Sequence, residues 1–198
     1  MNKLFSLSFL ILISSFLITF SSCNDEDEAP YPSIVTELAD GITNASGTMY
    51  KIVLDDDTEY SLTNPLTGLK QSTIYRVLAG YTIANDEAEL RSLSNVTVLR
   101  DSTSRATSDP IGVVSLWRTR RYINLHLCPK TKGGRQYWGF IVENIEGRHA
   151  YLRLHHRQND DPTAYSTNVY ASLPLELVDA DQFTIRIVTF DGTKEWDL

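Results

Sequence analysis

The sequence predicts an all-β protein: a small OB-like five-stranded barrel followed by an antiparallel β-sandwich. Two observations carry that reading. Helical periodicity is never sustained, whereas apolar and polar residues alternate in short runs along most of the chain. Clusters of Gly, Asn and Asp separate those runs at the spacing of roughly 10–15 residues that sheet proteins show.

Composition narrows the class. Of the 198 residues 42% are hydrophobic and 22% charged, too apolar for a disordered chain. The formal charge is −7, from 18 basic and 25 acidic residues, which argues against a partner held by bulk attraction to a polyanion. Two cysteines make no disulfide framework.

Residues 1–22 read as an export signal. Lys3 supplies the positive start, residues 4–20 form an apolar run diluted by serines, and Ser21-Ser22 stand before Cys23. An uncleaved membrane helix is the alternative, against which seventeen residues is at the short edge of the roughly 17–25 that span a bilayer. Two small residues before Cys23 resemble a bacterial lipobox, which implies that the sulfur of Cys23 carries a lipid and anchors the protein to the envelope. A plain secreted form is the alternative. Asp25-Glu26-Asp27-Glu28 is too polar to pack, so residues 23–32 read as an acidic tether, stiffened by Pro30 and Pro32. Acidic residues behind the lipidated cysteine also resemble the surface-export signal of Bacteroidetes lipoproteins. A soluble spacer explains them as well.

The first folded module spans residues 33–100. Strands are expected at 33–38, 49–54, 58–62, 74–83 and 89–100. Asp55-Asp56-Asp57 turns the chain between the second and third. Gly80 lies inside the long fourth strand, where glycine marks the sharp bend of a barrel corner. The alternation of the fifth strand shifts around Asn95, which predicts a bulge. Five strands in this length fit an OB-type barrel.

Residues 101–110 contain five Ser/Thr and no large apolar side chain, and they read as a linker between modules. The second module, 111–198, has strands expected at 111–117, 122–128, 136–143, 149–156, 167–177 and 182–190, with a further one at 194–197. Ile123, Leu125 and Leu127 share one face of their strand; Phe183, Ile185 and Ile187 share one face of theirs. Cys128, in a strand, reads as a small buried thiol.

Several motifs of this module carry a resemblance. Trp117-Arg118, Tyr122 to Leu127, Gly133-Gly134, Trp138-Gly139-Phe140, Asn159-Asp160-Asp161-Pro162 with Tyr165, and Thr189-Phe190-Asp191-Gly192 are similar to the NigD-like family of Bacteroidales lipoproteins. The resemblance implies an N-terminal OB-type barrel followed by a C-terminal β-sandwich, and a bacteriocin-immunity association that rests on gene location. It implies no catalytic residue.

Chemistry-bearing clusters are sparse. His155 and His156 point to opposite faces of a strand and cannot hold one ion together. His126 and Cys128 share a face, but no pattern supplies the further ligands zinc needs, and turn chemistry explains Asp160 and Asp161 better than calcium does. No nucleophile elbow, phosphate loop or dinucleotide fingerprint occurs, and nothing calls for a metal or cofactor. The expected protein is therefore not an enzyme. Six basic residues and no acid lie between Pro110 and Val142. In a simple meander, the Asp160/Asp161 loop would compensate Lys130–Arg135, and the Asp179/Asp181 turn would compensate Arg118–Arg121. The candidate ligand contacts are Trp117, Arg120, Arg121 and Trp138. Asp101-Ser102-Thr103 resembles a Bacteroidetes O-glycosylation pattern, which makes Ser102 a candidate acceptor in an exposed linker.

The expected function is that of a lipid-anchored, surface-exposed outer-membrane binding protein with a protein or glycan partner and no nucleic acid. The periplasmic face is the alternative location. The alternative functions are a glycan-binding accessory lipoprotein and an envelope hydrolase.

Overall fold

The computed structural model describes residues 33–102 and 107–198. The expected export signal, Cys23 and the expected acidic tether lie outside the described residues, as does the middle of the expected linker. Residues 34–198 form one compact unit.

Five strands close a barrel in the order β1-β2-β3-β5-β4: β1 Val35–Thr43, β2 Met49–Leu54, β3 Glu59–Leu66, β4 Ile74–Ala84 and β5 Glu87–Asn95. Alternation builds its interior, with Val77, Ala79 and Tyr81 of β4 facing Ala39, Met49, Ile52 and Leu90. Asp57 takes a positive φ in the β2–β3 turn, and Asn85-Asp86 do so in the two-residue turn from β4 to β5. These are side chains that tolerate the left-handed region. Gly80 sits where the β4–β5 register shifts by one residue, and a Cβ there would meet the Ser92 hydroxyl at 2.3 Å. The bend expected at Gly80 is therefore a bulge that β5 supplies near Arg91.

The irregularity around Asn95 has a different cause from the expected bulge. β5 ends there, and the chain leaves the barrel to enter a second sheet as β6, Thr97–Val98, parallel to a strand far downstream. Leu99 is already in the core of the second module. The expected linker is corrected accordingly. Phe140 donates its N–H to the Arg100 carbonyl, and Ser102 and Asp109 donate theirs to the carbonyls of Phe140 and His156. Its described ends are thus edge pairings of the sandwich. Small polar side chains suit such a position as well as they suit a solvated connection, which is why composition misreads it.

The sandwich packs two four-stranded sheets face to face. One has the order β6-β13-β8-β7, with β7 Gly112–Arg118, β8 Tyr122–Cys128 and β13 Val169–Pro174. The other has the order β10-β11-β14-β15, with β10 Tyr137–Glu146, β11 His149–Arg157, β14 Gln182–Thr189 and β15 Gly192–Asp197. Short strands β9 Lys130–Thr131 and β12 Tyr165–Ser166 pair beside them. Leu125 and Leu127 of β8, Phe140 of β10, Leu152 of β11 and Phe183 of β14 share one core. Each such side chain contributes about 1.5–3 kcal/mol on burial. The sheets are not a simple meander: after β11 the chain crosses to β13 and returns as β14, parallel to β11. The strand expected over 167–177 ends at Pro174, and Leu175–Leu177 form a 3-10 turn.

The outer face of the β6-β13-β8-β7 sheet positions the site. Side chains on β8 alternate, so Ile123, Leu125 and Leu127 face the core while Tyr122, Asn124 and His126 face away from it. A solvent-facing Asn would be exposed. Asn124 is fully buried because the barrel packs on that face.

Candidate functional site

Asp40 of β1 and Arg76 of β4 are register partners on the outside of the barrel wall. Both are buried. The Arg76 guanidinium donates to Asp40 Oδ1 at 3.2 Å, to Asp55 Oδ2 at 2.8 Å, to Asn124 Oδ1 at 3.0 Å and to Ser172 Oγ at 3.0 Å. Ser172 in turn donates to Asn124 Oδ1 at 2.7 Å, and the Asn124 amide donates to Asp55 at 2.8 Å. From the β7–β8 turn Arg121 reaches Asp40 Oδ2 at 2.5 Å and the Leu54 carbonyl at 2.8 Å. The Tyr122 ring lies 4.0 Å below the Arg76 guanidinium carbon, and its hydroxyl donates to Asp40. Burial, and then the negative charge of Asp40, push the Tyr122 hydroxyl up to about 12. Two arginines thus meet two aspartates, with amide and hydroxyl groups adding hydrogen bonds, while Asp55 Oδ1 is held by the Arg76 ion pair and Arg121 Nε is buried without a hydrogen bond. Opposite charges and added hydrogen bonds are what let a buried ionic cluster persist.

Beside this cluster runs a cleft of about 560 Å³. Glu37, Asp56 and Leu78 line it from the barrel, and Trp117, Thr119 and Tyr170 from the sandwich. Tyr170 is stacked on His126 with centroids 4.4 Å apart, and the imidazole pairs with Asn168 at 3.0 Å. Glu37 accepts a hydrogen bond from Tyr81, whose hydroxyl is raised above its ordinary value by burial and by that carboxylate. The lining carries carboxylates and no lysine or arginine, so it suits a neutral or cationic surface feature of a ligand.

Of the residues singled out from sequence, Trp117 lines the cleft. Arg121 is spent on Asp40, while Arg120 pairs with Asp57 at 2.6 Å and keeps a largely exposed side chain. The Asp179/Asp181 turn, expected beside Arg118–Arg121, instead pairs with Arg148. Only Arg118 reaches it, at the Asp181 carbonyl. The crossover through β13 is the reason. The Asp160/Asp161 loop does fold over residues 130–136, as expected, but Asp161 is met by hydroxyl, amide and backbone donors instead of ammonium groups. Trp138 lies apart from Trp117 and stacks on His156 with centroids 4.5 Å apart. Cys128 is half-buried rather than enclosed. His155 and His156 do point to opposite faces: His155 meets Ser102 at 2.7 Å and His156 meets Gln136 at 2.9 Å. Ser102 is only 7% exposed with its hydroxyl engaged, so the exposure that O-glycosylation requires is lacking. Among the described residues no group of three or more His, Cys, Asp or Glu is arranged to hold a metal ion.

Sequence reasoning missed Asp40, Arg76, Asn124 and Ser172. The available signal was a polar residue inside an otherwise strand-like run, which reads equally well as a solvated face.

A closed five-stranded barrel of OB order, packed against the outer face of a β-sandwich, is the architecture these observations define. The family model for the NigD-like C-terminal beta sandwich domain matches residues 94–197, and the chain belongs to the NigD-like family. The match begins three residues before β6, where the second sheet acquires its first strand. Among solved structures, a NigD-like immunity protein from Bacteroides caccae ATCC 43185 superposes with a TM-score of 0.65 at 22% identity, over 85% of this chain and 93% of that one. A protein described as toxin related, from Parabacteroides distasonis ATCC 8503, gives 0.70 at 15% identity over 84% and 92%. A provisionally assigned lipoprotein from Bacteroides fragilis NCTC 9343 gives 0.59 at 11% identity over 84% and 96%. At these identities the likeness is one of fold. No curated protein matches the chain.

Proposed function

We propose that this chain is a lipid-anchored, non-enzymatic binding protein of the cell envelope, held in the outer membrane by acylated Cys23 and facing the cell surface, with its partner seated in the barrel–sandwich cleft. The observation that carries the reading is the cleft itself. Its two walls come from separate modules, and the Arg76 cluster beside it joins those modules through buried hydrogen bonds. Ligand sites favour such junctions and are largely pre-formed. The export signal with its Cys23 boundary supports the location, as does the resemblance in fold to a provisionally assigned lipoprotein. The immunity description of the Bacteroides caccae neighbour supports a protein partner, a secreted toxin of a competing strain.

Labelled palmitate should enter the wild-type protein and not C23A. A strain lacking the protein should become sensitive to toxins of neighbouring strains and should be rescued by wild type but not by W117A. Sensitivity unchanged from wild type removes the immunity reading, and palmitate incorporated equally by C23A removes the anchor.

A further inference from the structure

At the other end of β8 from the Arg76 cluster, past Cys128, lies a second pocket of about 300 Å³. Trp138 and Tyr165 line it with Thr131, Thr167 and the backbone of Gly133 and Gly134, and no charged side chain contributes to its wall. One of its aromatic groups, Trp138, also packs against the rim of the sandwich core, and the other is more open. Trp138 is half-buried and backed by His156, while Tyr165 is 55% exposed.

The wall is held from behind. The Asp161 carboxylate, only 5% exposed, accepts from the Thr131 hydroxyl, the Lys132 N–H at 2.9 Å, the Gly134 N–H at 3.0 Å and the Gln136 amide at 2.8 Å. Gln136 accepts from His156 Nε2 at 2.9 Å, and His156 stacks under Trp138. A continuous set of contacts therefore runs from the loop carboxylate to the aromatic platform. Glycine is needed at 134 because a Cβ there would lie 2.6 Å from the Asp161 carboxyl carbon. So many buried hydrogen bonds on one loop fix its shape, and a pre-shaped wall lowers the ordering cost of binding.

We propose that this pocket binds a neutral saccharide, one sugar ring lying against Trp138 and Tyr165. Flat aromatic faces pack against the C–H face of a pyranose. The Thr167 hydroxyl and the Gly133 and Gly134 carbonyls supply hydrogen bonds to its hydroxyls, the Thr131 hydroxyl and the glycine N–H groups being used within the loop. An uncharged wall rejects ionic ligands in favour of neutral ones, and about 300 Å³ lies at the lower end of the range of small-ligand pockets. The site is independent of the cleft.

The test titrates the full-length protein in detergent micelles with neutral glucan, mannan and xylan hexasaccharides, read by tryptophan fluorescence and saturation-transfer NMR. At least one hexasaccharide saturates the wild type. Y165A, which alters an exposed side chain, weakens it about tenfold, the size of one lost aromatic contact, and W138F, which shrinks the platform without removing it, weakens it severalfold. W117F leaves it unchanged. Absence of saturation by every hexasaccharide overturns the proposal, which is also the result if the pocket takes an apolar protein side chain. Binding that survives Y165A and W138F, or that falls with W117F alone, overturns it too. None of these failures bears on the toxin-sensitivity test of the cleft.

Discussion

Arg76 of the barrel donates to Ser172 of the sandwich at 3.0 Å across ninety-six residues of sequence, with both side chains buried. The contact turns two modules, each with its own apolar core, into one compact unit.

Replacing Arg76 tests that coupling. R76M leaves Asp40 and Asp55 without their shared cation, and breaking one partner of a buried pair costs about 3–5 kcal/mol. Arg121 still reaches Asp40, so the loss should fall at the lower end. Urea unfolding followed by barrel and sandwich probes should separate into two transitions. R76K should recover only part, because an ammonium cannot donate to four acceptors in one plane.

Arg120 provides the contrast. It pairs with Asp57, yet its side chain is 79% exposed. R120A should change stability by less than about 1 kcal/mol, as exposed pairs do.

Ser102 is a structural hydroxyl. S102A leaves His155 Nδ1 without its partner in a buried site where His155 Nε2 already lacks one. The expected loss is about 1–3 kcal/mol by chemical denaturation.

Stability should fall on mild acidification. Burial, with Arg153 and Arg157 nearby, lowers the His155 value below that of a free imidazole, and burial lowers His156. A lowered folded-state value means that the unfolded chain binds the proton first, so stability is fully present above about 6.5 and declines as pH falls below it. H155N should flatten the slope between pH 7 and 5 in the denaturation midpoint.

Asp161 governs a more acidic window. Its carboxyl is held down to about 2, first by the Thr131 hydroxyl and then by the Lys132 N–H. Its contribution is complete above about 4 and is lost as pH drops towards 2. D161N should lower the wild-type melting temperature at pH 6 and narrow its difference from wild type by pH 2.

How much of this was legible varies from element to element. β2 and β8 fall on the residues expected, because their apolar alternation and flanking turns are local signals. The shift at Asn95 was legible as a break in the pattern but not as a change of sheet, since alternation records two faces and not which sheet owns them. Residues 101–110 misled for a related reason: hydroxyl side chains satisfy an edge strand and a linker equally.

Sequence by itself determined the all-β class, the two cores and their order. These depend on period-two alternation within single strands. It also supplied the expectation of an export signal ending at Cys23, and the family resemblance. Only the tertiary structure decided that the outer face carrying Asn124 and Ser172 is covered, that Arg76 and Asp40 lie inside a junction, and that Trp117 and Trp138 serve separate hollows. A polar side chain on the outward face of a strand looks the same in sequence whether water or another module sits against it. Burial of that face is settled by contacts between residues dozens of positions apart.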